Sequence, residues 1–459
     1  MRPETAAPAA GSRAAEEPLV SIRDLQTYYS IRGSFVDRLV GREAGVVRAV
    51  DGVSLDIRRG EVLGLVGESG SGKTTLGRTL LGLVRATGGS AEFEGREITR
   101  LPEREFRALR RRMQVVFQDP HASLNPAMTI GQAVGHPLQI HGLERDRDRL
   151  RLRVAEVLER VGLAPADAYL DKFPGDLSGG QKQRAVIARA LILNPVLLVA
   201  DEPVSMLDMS VRAKILELML ALKRDFDLTY LYITHDLATA RFFCDRIAIM
   251  YLGRIVEIGP APAIYADPKH PYTRALLRAI PEPDPQRAVP RDLPRGEVPD
   301  ASRPPLGCHF HPRCPLAFEP CGWESRDLRE LLEARWARAA GEAGVEDEQA
   351  LFGNLASLDK PSGEVRLPAP RGRSAEEMVA VLERIRSEAP DEPFWRGVRR
   401  LEAAGGRLEL DFHDAQAPAL APAADVEVEC HLYGRYGMST ASVAQPNLGS
   451  PTGEPSSGS

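Results

Sequence analysis

Gly67-Glu68-Ser69-Gly70-Ser71-Gly72-Lys73-Thr74 follows the apolar run Val62-Leu63-Gly64-Leu65-Val66 and precedes a helix-compatible segment. Glycine at these spacings lets successive backbone N–H groups curl around an anion where a side chain would forbid the turn. The helix that follows aims its positive N-terminal end at the same point. In that setting Lys73 reaches the β- and γ-phosphates of a nucleoside triphosphate, and the Thr74 hydroxyl ligates Mg²⁺. A second run, Leu197-Leu198-Val199-Ala200-Asp201-Glu202, reads as an apolar strand ending in two carboxylates. Neighbours on a strand point opposite ways, so Asp201 is expected to hold the magnesium shell and Glu202 to face the attacking water as general base. Between the two lies Leu177-Ser178-Gly179-Gly180-Gln181, ahead of a helix-compatible run from Gln183 to Leu193. This is a second anion-binding helix end, without a lysine loop of its own. Two chains facing each other would use both.

The elements that must position these residues follow from apolar patterning. Val62 to Val66, Val196 to Ala200, Tyr230 to Thr234 and Arg246 to Met250 are short buried-strand candidates. They alternate with helical patterns over about 240 residues, the mark of an α/β fold with a parallel sheet. Leu150, Val154, Val157, Leu158 and Val161 recur at helical spacing with Arg, Asp and Glu on the opposite face. Of 36 prolines, 11 fall between Pro281 and Pro320, which ends this region. Beyond a cysteine-containing stretch come a helix-rich segment, Arg326 to Gly341, and a strand–helix–helix–strand pattern from Glu364 to Phe412 with Met378, Val379, Val381, Leu382 and Ile385 as its apolar face.

The phosphate loop, Leu-Ser-Gly-Gly-Gln, Asp201-Glu202 and a later Thr234-His235-Asp236, in that order, resemble an ABC-type ATPase subunit over about Val20 to Pro262. The resemblance implies a P-loop fold with a RecA-like core and a helical subdomain. It also implies a head-to-tail dimer enclosing two ATP molecules, each between the Lys73 loop of one chain and the Ser178 loop of the other. Carried over, Gly67, Ser69, Gly70, Ser71, Gly72, Lys73, Thr74 and Thr75 hold ATP from one side, and Ser178, Gly179, Gly180 and Gln181 from the other. Tyr29 stacks on adenine, with Tyr28 as its alternative. Gln118 senses Mg²⁺ with Thr74 and Asp201 and couples to the membrane partner. Ser205-Met206-Leu207-Asp208 crosses the dimer, with Met206 where the family usually has Ala, and His235 contacts the γ-phosphate. Two further segments resemble the oligopeptide, dipeptide and nickel importer branch: Phe117-Gln118-Asp119-Pro120-His121-Ala122-Ser123-Leu124-Asn125-Pro126 and Lys269-His270-Pro271-Tyr272-Thr273-Arg274-Ala275-Leu276-Leu277. The second also reads simply as a helix begun at proline, whose Tyr and Leu pack on the domain.

The five cysteines exclude a disulfide scaffold. Cys244 reads as a small buried packing residue. Cys308, Cys314 and Cys321 lie within 14 residues of one another, and Cys430 follows after an interval of 108. Thiolates suit zinc or an iron–sulfur cluster, His309 and His311 could complete a zinc site, and unligated thiols remain a third reading. Similar importer ATPases carry this pattern, and the resemblance implies a 4Fe–4S cluster on Cys308, Cys314, Cys321 and Cys430. The interval from Gly322 to Glu429 matches no family we recognise.

The expected organisation is a disordered arm (1–18), an ATPase domain (19–262, helical subdomain about 121–176) and a Pro-rich cysteine segment (263–325). An inserted α/β lobe (326–420), a closing segment with the fourth cysteine (421–440) and a disordered tail (441–459) follow. With 59 basic and 64 acidic residues the net charge is −5, against a nucleic-acid binder on bulk electrostatics. Arg104 to Arg112 reads as a solvated helix, diluted by Glu103 and Glu105. The most apolar stretch, Ala185 to Ala200, is broken by Arg189, Asn194 and Pro195 and spans no bilayer. The implied setting is peripheral, on the cytoplasmic face of the cell membrane. The implied partners are a second, non-identical ATPase, two permease subunits and, indirectly, an extracytoplasmic solute-binding protein. Peptides, oligosaccharides and nickel are the candidate cargoes. A soluble ABC-type ATPase acting on nucleic acid or ribosomes is the rival reading, and would show a second phosphate loop or long coiled coil that the chain lacks. A redox sensor in the cysteine region is a third.

Overall fold

The computed structural model describes residues 17–31, 45–280, 296–339, 341 and 344–433. The expected arm up to residue 16 and the tail, with the end of the closing segment from residue 434, lie outside the described residues. In chain order the first strands are β1 (Val20–Ser30), β2 (Val46–Ile57), β3 (Val62–Val66), β4 (Gly88–Phe93), β5 (Arg96–Glu97) and β6 (Met113–Val116). They are followed by β7 (Leu197–Asp201), β8 (Thr229–Thr234), β9 (Arg246–Tyr251) and β10 (Arg254–Pro260). The later strands are β11 (Glu364–Pro368), β12 (Val398–Ala404), β13 (Arg407–Phe412), β14 (Leu420–Ala423) and β15 (Val426–Glu429).

The central sheet runs β14-β15-β10-β9-β3-β8-β7-β6, with β9, β3, β8, β7 and β6 parallel. Its inner strands β3, β7 and β8 are buried at every residue because both faces are covered, hence their unbroken apolar runs. One face packs on the antiparallel sheet β2-β1-β4-β5 through Leu63, Leu65, Val199 and Ile233. The other packs on helices through Val62, Val66, Leu198 and Tyr230.

The helix Arg147–Arg160 buries Val154, Val157 and Leu158, as the sequence periodicity predicts, against helices Ile130–Ile140 and Gly179–Leu191. The last of these starts four residues before the Gln183 read from sequence. Ser178 and Gln181 cap it reciprocally: Ser178 N–H donates to Gln181 Oε1 at 2.9 Å, and Gln181 N–H to Ser178 Oγ at 3.4 Å, so the two glycines sit inside the first turn. The arginine cluster forms the short helix Glu103–Leu109, whose neighbours Arg110 and Arg112 pair with Glu103 and Glu94. Two of its five arginines are thus paired with acidic side chains.

The insertion has its own core. Leu328, Leu332, Met378, Leu382, Leu408 and Leu410 are fully buried together, and the cluster reaches back to Ala317, Cys321 and Trp323. Helix Ala375–Glu388 packs on the sheet β11-β13-β12. The expected strand–helix–helix–strand pattern is corrected here, because the final strand is a hairpin. Gly405 and Gly406, at φ 57° and 73°, form the two-residue turn between β12 and β13, a turn type that requires left-handed backbone at both positions. After the lobe the chain returns to the ATPase sheet, where β15 pairs with β10 and delivers Cys430.

All three tryptophans, Trp323, Trp336 and Trp395, pack in or against this third core. Leu382→Ala removes a fully buried side chain and is expected to destabilise the lobe by about 2–5 kcal/mol. Denaturation followed by tryptophan emission checks this, and nucleotide binding by the native protein should be unchanged.

Candidate functional site

The loop between β3 and helix Lys73–Leu80 is shaped by backbone approach. Gly72, the N-cap, has φ 104°, and a Cβ there would lie 1.9 Å from the Ala49 carbonyl oxygen. Only glycine fits. Lys73 Nζ donates to the carbonyls of Gly67 and Glu68, each at 2.8 Å, and to Ser71 Oγ at 3.3 Å. The ammonium thus lies along the loop, its pKa lowered by burial against the pull of Glu202, Asp201 and Glu68. Thr74 Oγ1 donates to Asp201 Oδ1 at 3.0 Å. Burial raises the Asp201 pKa, the Thr74 bond opposes this, and the Glu202 carboxylate adds to it.

Glu202 follows β7 in a left-handed conformation, φ 48°, its N–H donating to the Ile233 carbonyl at 2.9 Å. That turn separates it from Asp201: one carboxylate goes under the loop to Thr74, the other into the cavity. Both Glu202 oxygens are engaged. Gln118 Nε2 donates to Oε2 at 2.9 Å, and His235 Nδ1 lies 2.9 Å from Oε1. Three strand ends, those of β6, β7 and β8, therefore converge on one carboxylate.

Gly67, Ser69, Gly70, Gly72, Lys73, Thr74, Thr75, Gln118, Glu202 and His235 line one cavity of about 680 Å³. Ser71 lies beneath the loop, and its carbonyl accepts from Gly253 N–H at 2.9 Å. Other expected residues lie elsewhere. Tyr29 is 41% exposed near the end of β1 and does not line the cavity, although its cross-strand partner Val47 does. Tyr28 is bonded to Asp51, which leaves its hydroxyl engaged away from the cavity. Ser178, Gly179, Gly180, Gln181 and Asp208 are also outside it. Gly180 meets the helix begun after Asp208, where an added Cβ would lie 2.7 Å from Val211 Cγ1.

Sequence reasoning missed the rest of the wall: Val47, Ala49, Leu276 and Ala301 supply its apolar part. It also missed Tyr272 and Arg313, which bind Glu68. Tyr272 was legible only as a packing residue, and its ring does pack, tilted, against Tyr251 and Phe310. His270 caps its helix by accepting from Tyr272 N–H, and burial pushes the imidazole down to about 3.

The ABC transporter family matches residues 50–205, and the family described as oligopeptide/dipeptide transporter, C-terminal region, matches residues 256–321. A protein named as a peptide import ATP-binding protein, from Brucella ovis, is 46% identical over 316 residues, spanning 69% of this chain and 95% of its own. The chain belongs to the ABC transporter ATP-binding proteins. The oligopeptide transport ATP-binding protein AppF of Bacillus subtilis is 43% identical over 324 residues, 70% of this chain and 96% of its own. A solved ATP-binding cassette, dimeric and bound to ADP and Pi, is 29% identical with a TM-score of 0.47, covering 53% of this chain and 98% of that one. This ABC protein is thus an ATP-binding ATPase. Among its described residues no helix is long and apolar enough to cross a membrane.

Cys308, Cys314, Cys321 and Cys430 line a second, small cavity with the rings of His270, His311 and His431 and the apolar Phe310 and Phe318. Burial raises all four thiols, Cys321 to about 11 and Cys430 to about 12, and the neighbouring thiols raise Cys308 and Cys314 further. Among the described residues no group of three His, Cys, Asp or Glu side chains is arranged to hold a metal ion. The zinc reading loses its histidines: His309 Nδ1 lies 3.2 Å from the Leu252 carbonyl, and His311 sits between the Cys308 carbonyl and Asp327. Cys244 is a packing residue against Gly64.

Gly72→Ala is expected to abolish binding of a fluorescent ATP analogue while far-UV circular dichroism stays native, because strain and clash fall on one loop.

Proposed function

We propose that this chain is the ATP-hydrolysing subunit of an importer of oligopeptides, dipeptides or related solutes, acting at the cytoplasmic face of the cell membrane. The observation that carries the reading is the grip on Glu202. Gln118 and His235 hold its two oxygens beside the Lys73 loop, where a water would meet a γ-phosphate. In this reading Glu202 takes the proton of that water as its oxygen bonds to the γ-phosphorus. The bond from phosphorus to the bridging oxygen breaks, ADP leaves with the electron pair, and Lys73 with the loop N–H groups neutralises the charge that develops. His235 keeps the γ-phosphate and the base in register. Thr74 and Asp201, already bonded to each other, with Gln118 would hold Mg²⁺, which supplies positive charge against the phosphate oxygens.

Ser178, Gly179, Gly180, Gln181 and Asp208 serve the opposite chain's nucleotide, in accord with their place outside this chain's own cavity. That partner is a second, non-identical ATPase, and two permease subunits span the membrane. The names of the Brucella and Bacillus relatives support the peptide cargo. Tyr29 remains the proposed adenine partner, on the same strand pair as Val47.

Glu202→Gln should lower turnover about 10²–10⁴-fold, or about 3–5 kcal/mol in the barrier, with ATP binding kept. Phosphate release and equilibrium binding, measured side by side, check both halves; near-normal hydrolysis would refute the assignment.

For the thiols we propose a 4Fe–4S cluster held by Cys308, Cys314, Cys321 and Cys430. What supports it is the gathering of four thiols around one small cavity, beside apolar side chains and the rings of His270, His311 and His431, with His311 already held by the Cys308 carbonyl and Asp327. The cluster would supply a one-electron redox centre and a covalent tie between the end of β15 and the Cys308–Cys321 segment. Anaerobic purification should give a brown protein containing about four irons, the content of such a cluster. A colourless, iron-free protein, or one containing only zinc, contradicts it.

A further inference from the structure

Glu68, the residue in the phosphate loop to which the sequence assigned no role, has every polar group engaged. Its carbonyl accepts from Lys73 Nζ at 2.8 Å and from Ser71 N–H at 3.2 Å, both within the loop. Its other partners come from far along the chain. Glu68 N–H donates to Tyr272 Oη at 2.9 Å. Its carboxylate receives both ends of the Arg313 guanidinium, Nη1 to Oε2 at 3.0 Å and Nη2 to Oε1 at 3.4 Å. Such a forked pair fixes direction as well as distance.

Arg313 is itself held. It is 7% exposed, its Nη1 lies 3.4 Å from Tyr251 Oη, and the guanidinium stands over the rings of Tyr251 and Phe310. It ends the tight turn His311–Arg313, whose N–H groups bond back to Cys308 and Phe310. The same C-terminal region reaches the nucleotide cavity directly through Leu276 and Ala301, and the Ala301 carbonyl accepts from Arg48 N–H at 3.1 Å.

We propose that Arg313, acting through Glu68, is a positioning residue for the phosphate loop, so that the cysteine-bearing C-terminal segment sets how well this chain holds ATP. Lys73 bonds the same peptide carbonyl whose residue Arg313 and Tyr272 anchor. The shape that the loop offers to phosphate is therefore fixed from behind as well as by its glycines. This rests on the ATP-site reading above.

The test is a double-mutant cycle in the full-length chain with Mg-ATP as the probe: Arg313→Gln, Glu68→Gln, the double variant and Arg313→Lys. Each single Gln variant should weaken Mg-ATP binding about tenfold, as expected for loss of a charge-assisted bond. The double variant should bind no worse than the weaker single one. Arg313→Lys should recover only part, because an ammonium lacks the fork. In steady state the KM for ATP should rise with kcat kept. A purely structural role would lower the melting temperature and leave the affinity of the folded protein unchanged, and that result overturns the proposal. So do unaltered affinity in Glu68→Gln and losses that simply multiply in the double variant. If the wild-type chain itself neither binds nor hydrolyses ATP, the ATPase reading falls too; if it does both and the variants match it, only the role of Arg313 falls.

Discussion

A chain that grips phosphate with its backbone must leave N–H groups unpaired and pointing at one spot, and backbone in that state does not hold its own shape. The rest of this structure answers that constraint. β3 delivers the loop from the middle of a sheet buried on both faces. Gly72 lets it pass under Ala49, Gly253 N–H holds the Ser71 carbonyl, and Lys73 bridges the loop carbonyls from inside. Glu68 is tied down by residues more than 200 positions later. The loop is therefore held from several sides without a nucleotide, an arrangement that lowers the ordering cost of binding.

Around that loop the chemistry is divided by strand geometry. Asp201 and Glu202 are adjacent in sequence, and the left-handed backbone at Glu202 sends their carboxylates to different tasks. A non-glycine residue in that conformation is a local cost, and such costs gather where a side chain must be aimed. The grip of Gln118 and His235 on both oxygens of Glu202 links β6, β7 and β8 at one point. A displacement of the segment after β6 would therefore reach Glu202, the proposed general base, through Gln118.

Much of this was legible in the sequence, for physical reasons. Val62 to Val66 and Tyr230 to Thr234 show as strands because they are apolar at every position, and Gly67 to Thr74 shows because its spacing has one chemical use. The turn Gly405-Gly406 also carried a signal, two glycines between alternating runs, and that signal was missed. Other features left no local trace. Nothing near Tyr272 or Arg313 says that they face residue 68, because the contact is made by tertiary packing across 204 and 245 positions. The four thiols gather only because β15 returns to β10 after the lobe. Apart from that hairpin the lobe's internal pattern was readable; what it does for the ATPase was not, since its core is built from its own helices and sheet.

The central claim is that ATP is held and cleaved at the cavity between the Lys73 loop and Glu202. Amide hydrogen–deuterium exchange of the full-length chain, with and without Mg-ATP, tests it most directly. The account predicts slowed exchange in peptides covering Gly67 to Thr75, with smaller protection near Gln118, Glu202 and His235. Unchanged exchange across Gly67 to Thr75 in a chain that binds ATP would contradict it, as would protection confined to the inserted lobe.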